Sequence, residues 1–470
     1  MVAQVEVRVP RTHAPEREYA ARVVLGEFLG IDHVVTHAEG DGVVLRLRGD
    51  AERQVTVDDG LFAHSDEEWL TARSLPREPL LYRQVGLDVP EARLVAPKLP
   101  ILYGPEESRP LCEVESRSGS AALHLDVFGA AFFALTRYEE AVDGAPRDEH
   151  DRFRARSSLA YRAGFVDRAV VDEYVEVLRA VIERVWPRLL APRRTSESWL
   201  THDVDRPLVA AGRPWWQVGR SLGADLVKRR TPRLAWRRLT GWARARRGDL
   251  DGDPANTFDY LMDVAEGVGL RASFNFLAGG TAKADGSYRL SDPWIRRLLQ
   301  RIAARGHEVG FHGSYNAFED PQLVAEEFRH LRATAETLGI AQPAWGGRQH
   351  FLRWSNPRTW RAWSDAGLHY DSSLSYAELP GFRAGTSRAY PVFDLERRRV
   401  LPLFERPLTL MDASATRYLH LNRDETLALA GRLAKTCKAS GGTFVLLWHN
   451  DAVMSESSRN LYRDLVGEVV

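Results

Sequence analysis

Three short segments of this 470-residue chain place residues that bind metals or move protons at the ends of apolar, β-prone runs. They span residues 201–205, 306–316 and 446–451. The carboxyl ends of parallel strands meet at one edge of a sheet or barrel, and βα loops build active sites there. The three segments together therefore predict a single hydrolytic site.

The first segment carries two carboxylates on one face of a strand. Side chains alternate along a strand, so Asp203 and Asp205 project together and His202 points the other way. Two carboxylates this close need a positive charge or a shared proton, and a divalent cation supplies the charge. One acid would then be a metal ligand and the other a general base. The alternative is a pair of loop acids that cap the next helix, since Arg206 and Pro207 end the strand.

The second segment supplies a histidine and an amide. His312 ends a strand run, and a helical turn after it would bring His312 and Asn316 to a common point. Histidine binds zinc, nickel, cobalt or iron, whereas an Asn oxygen is a poor zinc ligand. We predict a divalent metal, zinc first, held by one of the two aspartates, Asp203 or Asp205, together with His312 and Asn316.

Two further residues have acid–base roles. His449 ends the last strand run, where an imidazole can protonate a leaving amine, and Asp451 either orients it or caps a turn. Arg348 ends the fourth strand run and is placed to keep Asp203 ionised, with a surface salt bridge as the alternative. The residues predicted to act in catalysis are therefore His449, Arg348 and the aspartate, Asp203 or Asp205, that does not bind the metal.

The residues that could contact a substrate are indicated less strongly by the sequence than the residues described above. We assign Trp354, Tyr315 and Asp412 to substrate binding, with core packing the alternative for Trp354. His350 has no assigned role. His150 lies among carboxylates in residues 148–152, which we interpret as a solvated loop.

The elements that must position these residues form a repeating pattern after residue 198. Seven apolar runs alternate with amphipathic stretches, which favours a parallel βα barrel. The strand runs are residues 199–205, 271–277, 308–312, 343–349, 368–374, 402–411 and 443–449, and the main helical stretches are 292–305, 321–338, 357–366 and 423–439.

The domain prediction follows from these patterns and from the length of the chain. Residues 1–190 mix helix and strand signals and predict an α/β accessory domain, 191–198 a linker, and 199–465 the barrel. Residues 207–253 form a basic, Trp-containing insertion. This insertion is either a solvated helical packing element, a lid that holds an acidic or phosphorylated glycan carrier, or, through residues 228–247, a peripheral membrane contact.

Composition limits the classes of function. The 64 basic and 64 acidic residues cancel, so no global field draws the chain to nucleic acid. We expect neither a membrane span nor a secretory signal, since no long uncharged apolar run occurs. The two cysteines, Cys112 and Cys437, do not predict a disulfide framework, so the expected location is the cytoplasm, with peripheral contact at the inner membrane face.

Taken together, residues 197–465 resemble the polysaccharide deacetylase superfamily, the NodB-homology barrels of carbohydrate esterases. Residues 201–205 look like its first motif, 306–316 its second, 348–351 with Trp354 and Pro357 its third, and 446–449 its last. The preceding α/β domain is similar to a subgroup of these proteins. Two departures stand out: Val204 separates the two aspartates, and Asn316 replaces the second histidine of the second motif.

The resemblance implies a distorted (β/α)7 barrel and metal-dependent hydrolysis of an N-acyl, in particular N-acetyl, group on a glycan, glycolipid or sugar intermediate. It implies Asp203 as base, Asp205 and His312 as metal ligands, His449 as acid and Arg348 as the brace of Asp203. The alternatives are a catalytically degenerate barrel that binds glycan or carrier lipid without turnover, and a scaffold recruited to membranes by its basic insertion.

Overall fold

A computed structural model describes residues 4–40, 42–85, 89, 92–104, 109–115, 117–142, 144, 146–211, 213–227, 230–280, 282–286 and 288–470. Its strands form a six-stranded sheet, a nine-stranded sheet and a two-stranded ribbon. The six-stranded sheet belongs to the first 123 residues and the nine-stranded sheet to residues 197–447.

The first sheet mixes parallel and antiparallel pairs. Its spatial order is β2-β1-β3-β4-β8-β7, with β1 Val5–Val9, β2 His33–His37, β3 Val43–Leu47, β4 Gln54–Val57, β7 Cys112–Val114 and β8 Ala121–Leu123. The ribbon pairs β5 Leu81–Gln84 with β6 Lys98–Ile101. Burial alternates along β1, because one face of the sheet covers a core and the other is partly solvated.

Five α-helices of the described residues accompany this sheet, and α1 and α5 pack on its strands. They are α1 Ala14–Ala21, α2 Val127–Leu135, α3 Tyr138–Ala141, α4 Leu159–Arg162 and α5 Val170–Val185. All nine residues of α2 are buried, as expected for a helix that is apolar on every side. Asp126 caps it by accepting a 2.6 Å hydrogen bond from the Gly129 amide.

The second sheet is mostly parallel and curls into a half-barrel. Its order is β14-β15-β13-β12-β11-β10-β9-β17-β16, with β9 Glu197–Val204, β10 Ala272–Leu277, β11 Glu308–Gly313, β12 Gly346–Gln349, β13 Tyr370–Asp371, β14 Tyr390–Asp394, β15 Arg399–Glu405, β16 Leu410–Met411 and β17 Thr443–Leu447. Every pair is parallel except β14–β15.

Among the described residues, eight α-helices belong to this second part. They are α6 Trp215–Val227, α7 Pro232–Ala245, α8 Phe258–Gly267, α9 Pro293–Ala304, α10 Pro321–Thr337, α11 Arg358–Asp365, α12 Arg423–Ser440 and α13 Glu456–Val469. Helices α9 to α12 overlap the four stretches predicted to be helical. In the described part of the chain, no helix combines the length and the apolar character needed to cross a bilayer.

The sixth predicted strand, residues 402–411, is interrupted. The first part of this run is the end of β15, which pairs with β13. The last part is β16, which pairs with β17. Pro407 has no amide proton to donate to a strand ladder, and the switch of partner occurs around it. The Leu408 amide still donates to Leu374 O at 3.1 Å, whereas the Thr409 amide donates to Val445 O at 3.0 Å. This one segment therefore links the two ends of the curled sheet.

Other element boundaries in the structure also differ from the predicted ones. Strand β9 begins at Glu197, so the last two residues of the predicted 191–198 linker are in the sheet. Strand β14, which pairs antiparallel with β15, was not predicted. The basic insertion 207–253 contains the helices α6 and α7, while its residues 212, 228 and 229 lie outside the described residues.

Candidate metal centre and active site

A cavity of about 280 Å³ opens at the carboxyl ends of β9, β11, β12 and β17. It is lined by acidic and histidine side chains at its base and by basic and aromatic side chains around them. The lining residues are Arg152, Asp203, Asp205, Arg206, Lys283, Ala284, His312, His350, Phe351, Leu352, Met411, Ala413, Arg417, Tyr418, Leu447, His449 and Asp451. Strand ends from distant parts of the sequence thus converge on one site.

Three of these side chains aim potential ligand atoms at one point. Asp205 Oδ1 lies 3.2 Å from His312 Nε2 and 3.5 Å from His350 Nε2. The ligand atoms of the three residues all lie within 4.8 Å of one another. Each of these atoms is buried, and none of them has a hydrogen-bond partner in the part of the chain that the structure describes. Buried polar atoms are normally satisfied, so three orphaned acceptors in one place mark a missing partner.

The other ring nitrogens are fixed so that the Nε2 atoms are free to accept. His312 Nδ1 donates to the Arg348 carbonyl at 2.7 Å. His350 Nδ1 donates to Asp285 Oδ1 at 2.8 Å. Carboxylates and carbonyls hold metal-binding histidines in this way, and two imidazoles with one carboxylate form a common set for a catalytic divalent ion. The donor set therefore fits a divalent metal ion.

Asp203 is held beside this group rather than in it. Its Oδ1 accepts a 2.9 Å hydrogen bond from Arg348 and a 2.7 Å hydrogen bond from Asn275, and its Oδ2 lies 3.9 Å from His312 Nε2. Burial alone would raise the pKa of Asp203, but Arg348, His312 and His449 together lower it below its ordinary value. The expected contact between Arg348 and Asp203 is present, and it keeps the carboxylate ionised.

His449 enters the cavity from the opposite side. Its Nδ1 lies 2.7 Å from Asp412 Oδ1, and its Nε2 lies 3.6 Å from Asp205 Oδ2. Burial opposes the charged form, yet Asp412, Asp205 and Asp203 raise the pKa of His449 to about 10. An imidazolium held in this orientation is a proton donor at neutral pH.

The same electrostatics favour positive charge at His350. Burial lowers the pKa of its imidazole, but Asp205 and Asp285 outweigh burial and raise it to about 9. The two carboxylates stabilise a cation at Nε2, which a proton or a metal ion can supply.

His202 occupies the other face of β9 and stays outside this group. It is fully buried, and its Nδ1 donates to the Trp448 carbonyl at 2.7 Å. Burial lowers the pKa of the ring to about 4, so His202 is a neutral packing residue.

The structure contradicts the reasoning that led to Asn316. His312 lies within β11, which continues to Gly313, so no helical turn joins His312 to Asn316. Asn316 is exposed, and His350 completes the group of potential ligands.

The expected substrate contacts also need correction. Trp354 is only 1% exposed and packs edge-on against Trp360 with ring centroids 4.7 Å apart, so it belongs to the core. The ring of Tyr315 is covered by Arg353, whose guanidinium carbon lies 4.1 Å from the ring centroid. Asp412 is buried against His449 and acts on that ring.

The first part of the chain also reaches the cavity. Residues 148–152 were predicted to form a solvated loop, but Arg152 is buried and lines the site. Its guanidinium donates to the Phe351 carbonyl at 3.0 Å and to the Tyr418 hydroxyl at 3.1 Å. Phe351 has a left-handed backbone, with φ at 60°, which is a strained conformation for a residue with a side chain. Arg152 therefore stabilises a strained segment at the rim of the site.

Some of these residues carried a signal in the sequence. His350 lies two positions after Arg348 at a strand end, and this spacing places both on one side of the strand. Asn275 faces Asp203 in the parallel register of β10 and β9, so strand alignment would have found it. Asp285 lies in an irregular loop after β10, where no periodic pattern points to it.

Comparisons with known proteins yield one family and several distant structures. Residues 5–187 match the model of DUF7033, a family of unknown function. No protein in the curated set matches the chain. Since the family match ends before β9, it does not reach the strands that carry the cavity.

Three solved structures are similar to the chain at low identity. A candidate polysaccharide deacetylase from Mycobacterium smegmatis has a TM-score of 0.38 and 16% identity, over 59% of this chain and 85% of that chain. The PuuE allantoinase has a TM-score of 0.36 and 12% identity, over 58% of this chain and 84% of that chain. Agd3, a carbohydrate deacetylase, has a TM-score of 0.36 and 10% identity, over 100% of this chain and 84% of that chain. These values are too low to transfer an activity, so the function must be inferred from the side chains of the cavity.

Proposed function

We propose that the protein is a metal-dependent hydrolase that removes an N-acyl group, in particular an N-acetyl group, from a glycan or sugar intermediate. The observation that carries this proposal is the convergence of three buried, unpartnered ligand atoms, from Asp205, His312 and His350, between an ionised carboxylate and a histidine. A binding module has no need for such an acid–base set around a cation site.

The proposed ligands are Asp205, His312 and His350, with His350 in the place given to Asn316 by sequence. Zinc fits two imidazoles and a carboxylate best, and nickel, cobalt and iron accept the same donors. A divalent ion bound there would polarise the acyl carbonyl and lower the pKa of a bound water molecule.

The remaining side chains divide the proton transfers. Asp203 accepts a proton from the attacking water, whose oxygen adds to the acyl carbon. His449 donates its Nε2 proton to the sugar nitrogen as the carbon–nitrogen bond breaks, which releases the carboxylic acid and the free amine. Arg348 and Asn275 hold Asp203, and Asp412 holds His449, so both groups are oriented before substrate binds.

The proposal also interprets the fold. The strands β9 to β13, the β15–β16 segment and β17 correspond to the seven strands of a distorted (β/α)7 barrel of the polysaccharide deacetylase type. Residues 199–465 would be this barrel and residues 1–190 an accessory α/β domain. Phe351 and Tyr418, which line the cavity, replace Trp354 as the aromatic side chains proposed to contact the sugar.

Metal content and amine release test the proposal together. Purified protein should carry about one transition-metal ion per chain, and His312→Ala and His350→Ala should each lose it. The control is His330→Gln, which changes an exposed histidine of α10 and should keep the metal. Wild-type protein should release free amine from N-acetylated sugars, and both metal-site variants should not.

Two outcomes would overturn the proposal. Protein that holds no metal, and takes up none when zinc, nickel, cobalt or iron is supplied, has no such centre. Protein that binds metal through these residues but releases no amine from any acylated sugar would instead be a binding barrel without turnover.

A further inference from the structure

The helices α6 and α7 form a pair between β9 and β10 that carries an unusual surface. We call residues 213–227 and 230–247 the basic hairpin. Arg237 joins it to the rest of the protein by donating to Met454 O at 2.8 Å, and within the hairpin the Trp242 indole donates to Arg213 O at 2.9 Å. Inside the pair, Arg238 and Asp225 form a buried ion pair at 2.8 Å. The orientation of the two helices is therefore fixed by their inner faces.

The outer surface of the hairpin carries apolar side chains among its arginines. Six large apolar side chains are exposed on it: Trp215, Trp216, Leu226 and Val227 on α6, and Trp236 and Leu239 on α7. Trp215 is 74% exposed and Trp236 67%, whereas ten of the 13 tryptophans in the chain are buried or half-buried. Single exposed apolar residues are ordinary, but a cluster of this kind marks an interaction surface.

Helical spacing places these residues on continuous stripes. Residues 216, 220, 223 and 227 follow one another at three- and four-residue steps and are all exposed on α6. On α7, residues 232, 236, 239 and 243 do the same. The buried positions of α7, Leu234, Ala235, Arg238 and Gly241, lie between them. Each helix thus has one face that packs on the protein and a second face, apolar except for Arg220 on α6, that packs on nothing within the described residues.

The hairpin is also strongly cationic in a chain with no net charge. Its described residues include one acid, Asp225, and nine arginines: Arg213, Arg220, Arg230, Arg233, Arg237, Arg238, Arg244, Arg246 and Arg247. Four of these, Arg220, Arg230, Arg246 and Arg247, are exposed and have no carboxylate within 4.0 Å among the residues described. The unpaired charge calls for an anionic partner.

We propose that the basic hairpin docks on the surface of an anionic lipid bilayer. Tryptophan and leucine on one face of a helix, flanked by arginine, are the composition of helices that lie in the membrane interface. Trp215, Trp216 and Trp236 enter the headgroup region, and the unpaired arginines contact lipid phosphates. This docking does not depend on the proposed function.

The candidate active site adjoins the inner face of the hairpin, so docking of the outer surface would hold this site near the bilayer. Arg213, Ser221, Leu234 and Arg238 of the hairpin line a cavity of about 430 Å³ together with Arg206, Arg417 and Asp451. The last three residues also line the cavity of the candidate metal centre. If the proposed function is correct, its substrate is an acylated sugar anchored in the membrane.

Sedimentation with lipid vesicles tests the docking. Wild-type protein should sediment with vesicles of phosphatidylcholine mixed with phosphatidylglycerol, less so as salt rises, and not with phosphatidylcholine alone. The triple variant Trp215→Ser, Trp216→Ser, Trp236→Ser should bind at least roughly 10-fold more weakly. Its control, Val114→Ser with Tyr161→Ser, removes exposed apolar side chains outside the hairpin and should bind like wild type.

A charge series separates docking from net charge. Arg220→Gln, Arg246→Gln, Arg247→Gln should lower the partition coefficient roughly 100-fold. The control Arg117→Gln, Arg188→Gln, Arg399→Gln changes net charge equally at exposed positions and should have a small effect. Thermal unfolding of each variant checks that the fold is intact.

Three results would overturn the docking proposal: no sedimentation of the wild type with anionic vesicles, equal binding to neutral vesicles, or equal losses in the hairpin and control variants. Since sedimentation requires no turnover, such a failure leaves the proposed hydrolase untouched, and a failure of amine release leaves the docking result untouched.

Discussion

At the scale of single residues, the side chains of the candidate site are oriented by buried neighbours that do not line the cavity. Asp412 is the clearest case, because its carboxylate lies 2.7 Å from His449 Nδ1 and is buried. A carboxylate at this position fixes the tautomer and orientation of an imidazole. Sequence reasoning placed Asp412 among the substrate contacts, while its hydrogen bond to His449 favours a positioning role.

The two roles for Asp412 predict different kinetics. For Asp412→Asn, loss of the orienting carboxylate should lower kcat by roughly 10- to 100-fold and leave KM nearly unchanged. Metal content should stay at the wild-type level. Steady-state amine release together with elemental analysis measures all three quantities.

A substrate-binding role for Asp412 would give the opposite split, with KM raised and kcat retained, and that result would reject the positioning role. The control is Asp259→Asn, an exposed acid of α8, which should match wild type in both constants.

At the scale of the elements, strand register decides which residues meet. Asp203 on β9 faces Asn275 on β10, and His312 on β11 faces Arg348 on β12. Close approach of backbones makes these pairings tight: a Cβ built on Gly347 would lie 1.8 Å from Phe311 O. Glycine at this position is therefore required for β12 to pair with β11.

Gly310 on β11 also lies too close to a neighbour, Asn275, to leave room for a side chain. A Cβ on Gly310 would lie 1.9 Å from Asn275 Oδ1, and the amide of Asn275 holds Asp203 at 2.7 Å. Gly310→Ala should therefore displace Asn275 and lower kcat by roughly 100-fold, since small misplacements of catalytic groups cost about this much. Metal content should be retained, because neither residue belongs to the proposed ligand set.

The matched control is Gly267→Ala, at the end of α8, where no atom lies within 4 Å of the added Cβ. Unchanged amine release in this control, beside the loss in Gly310→Ala, would locate the effect at Asn275. Wild-type kcat in Gly310→Ala would show that Asn275 is not needed to hold Asp203.

Periodicity predicted the elements better than it predicted their partners. Helices α9 to α12 and the strand runs 199–205, 308–312 and 443–449 could be predicted because apolar spacing and strand alternation are local properties of the sequence. The β15–β16 interruption and β14 could not, because they depend on which strand lies alongside. Asp285 escaped prediction for the same reason, since only the folded loop brings it to His350.

At the scale of the whole molecule, the first part of the chain is tied to the half-barrel by buried polar contacts. Asp172 of α5 accepts hydrogen bonds from Thr386 and from the amide and hydroxyl of Ser387. Glu16 of α1 pairs with Arg398 at 2.7 Å, and Arg152 reaches Phe351 at the site. The first part of the chain therefore supports the loops that surround the cavity.

A further contact between the two parts of the chain is a buried carboxylate between two arginines. Glu140 of α3 lies 2.6 Å from Arg383 and 2.8 Å from Arg137, and its side chain is 1% exposed. Burial would raise the pKa of Glu140, but the two guanidinium groups lower it from an ordinary 4.5 to about 2. Because the folded state holds the carboxylate ionised, its stabilising effect is complete above pH 4.5 and is lost as the pH falls towards 2.

Glu140→Gln leaves two buried guanidinium groups without their anion and should lower the free energy of unfolding at pH 7 by about 3 kcal/mol. The variant should also lose much of the fall in stability that wild type shows between pH 4.5 and 2, because the group that takes up the proton is gone. Urea unfolding across this pH range measures both effects. The control Glu326→Gln, at an exposed position of α10, should follow the wild-type curve. If Glu140→Gln and wild type lost stability in parallel below pH 4.5, the ion pairs of Glu140 would not be what holds the first part of the chain against the half-barrel in acid.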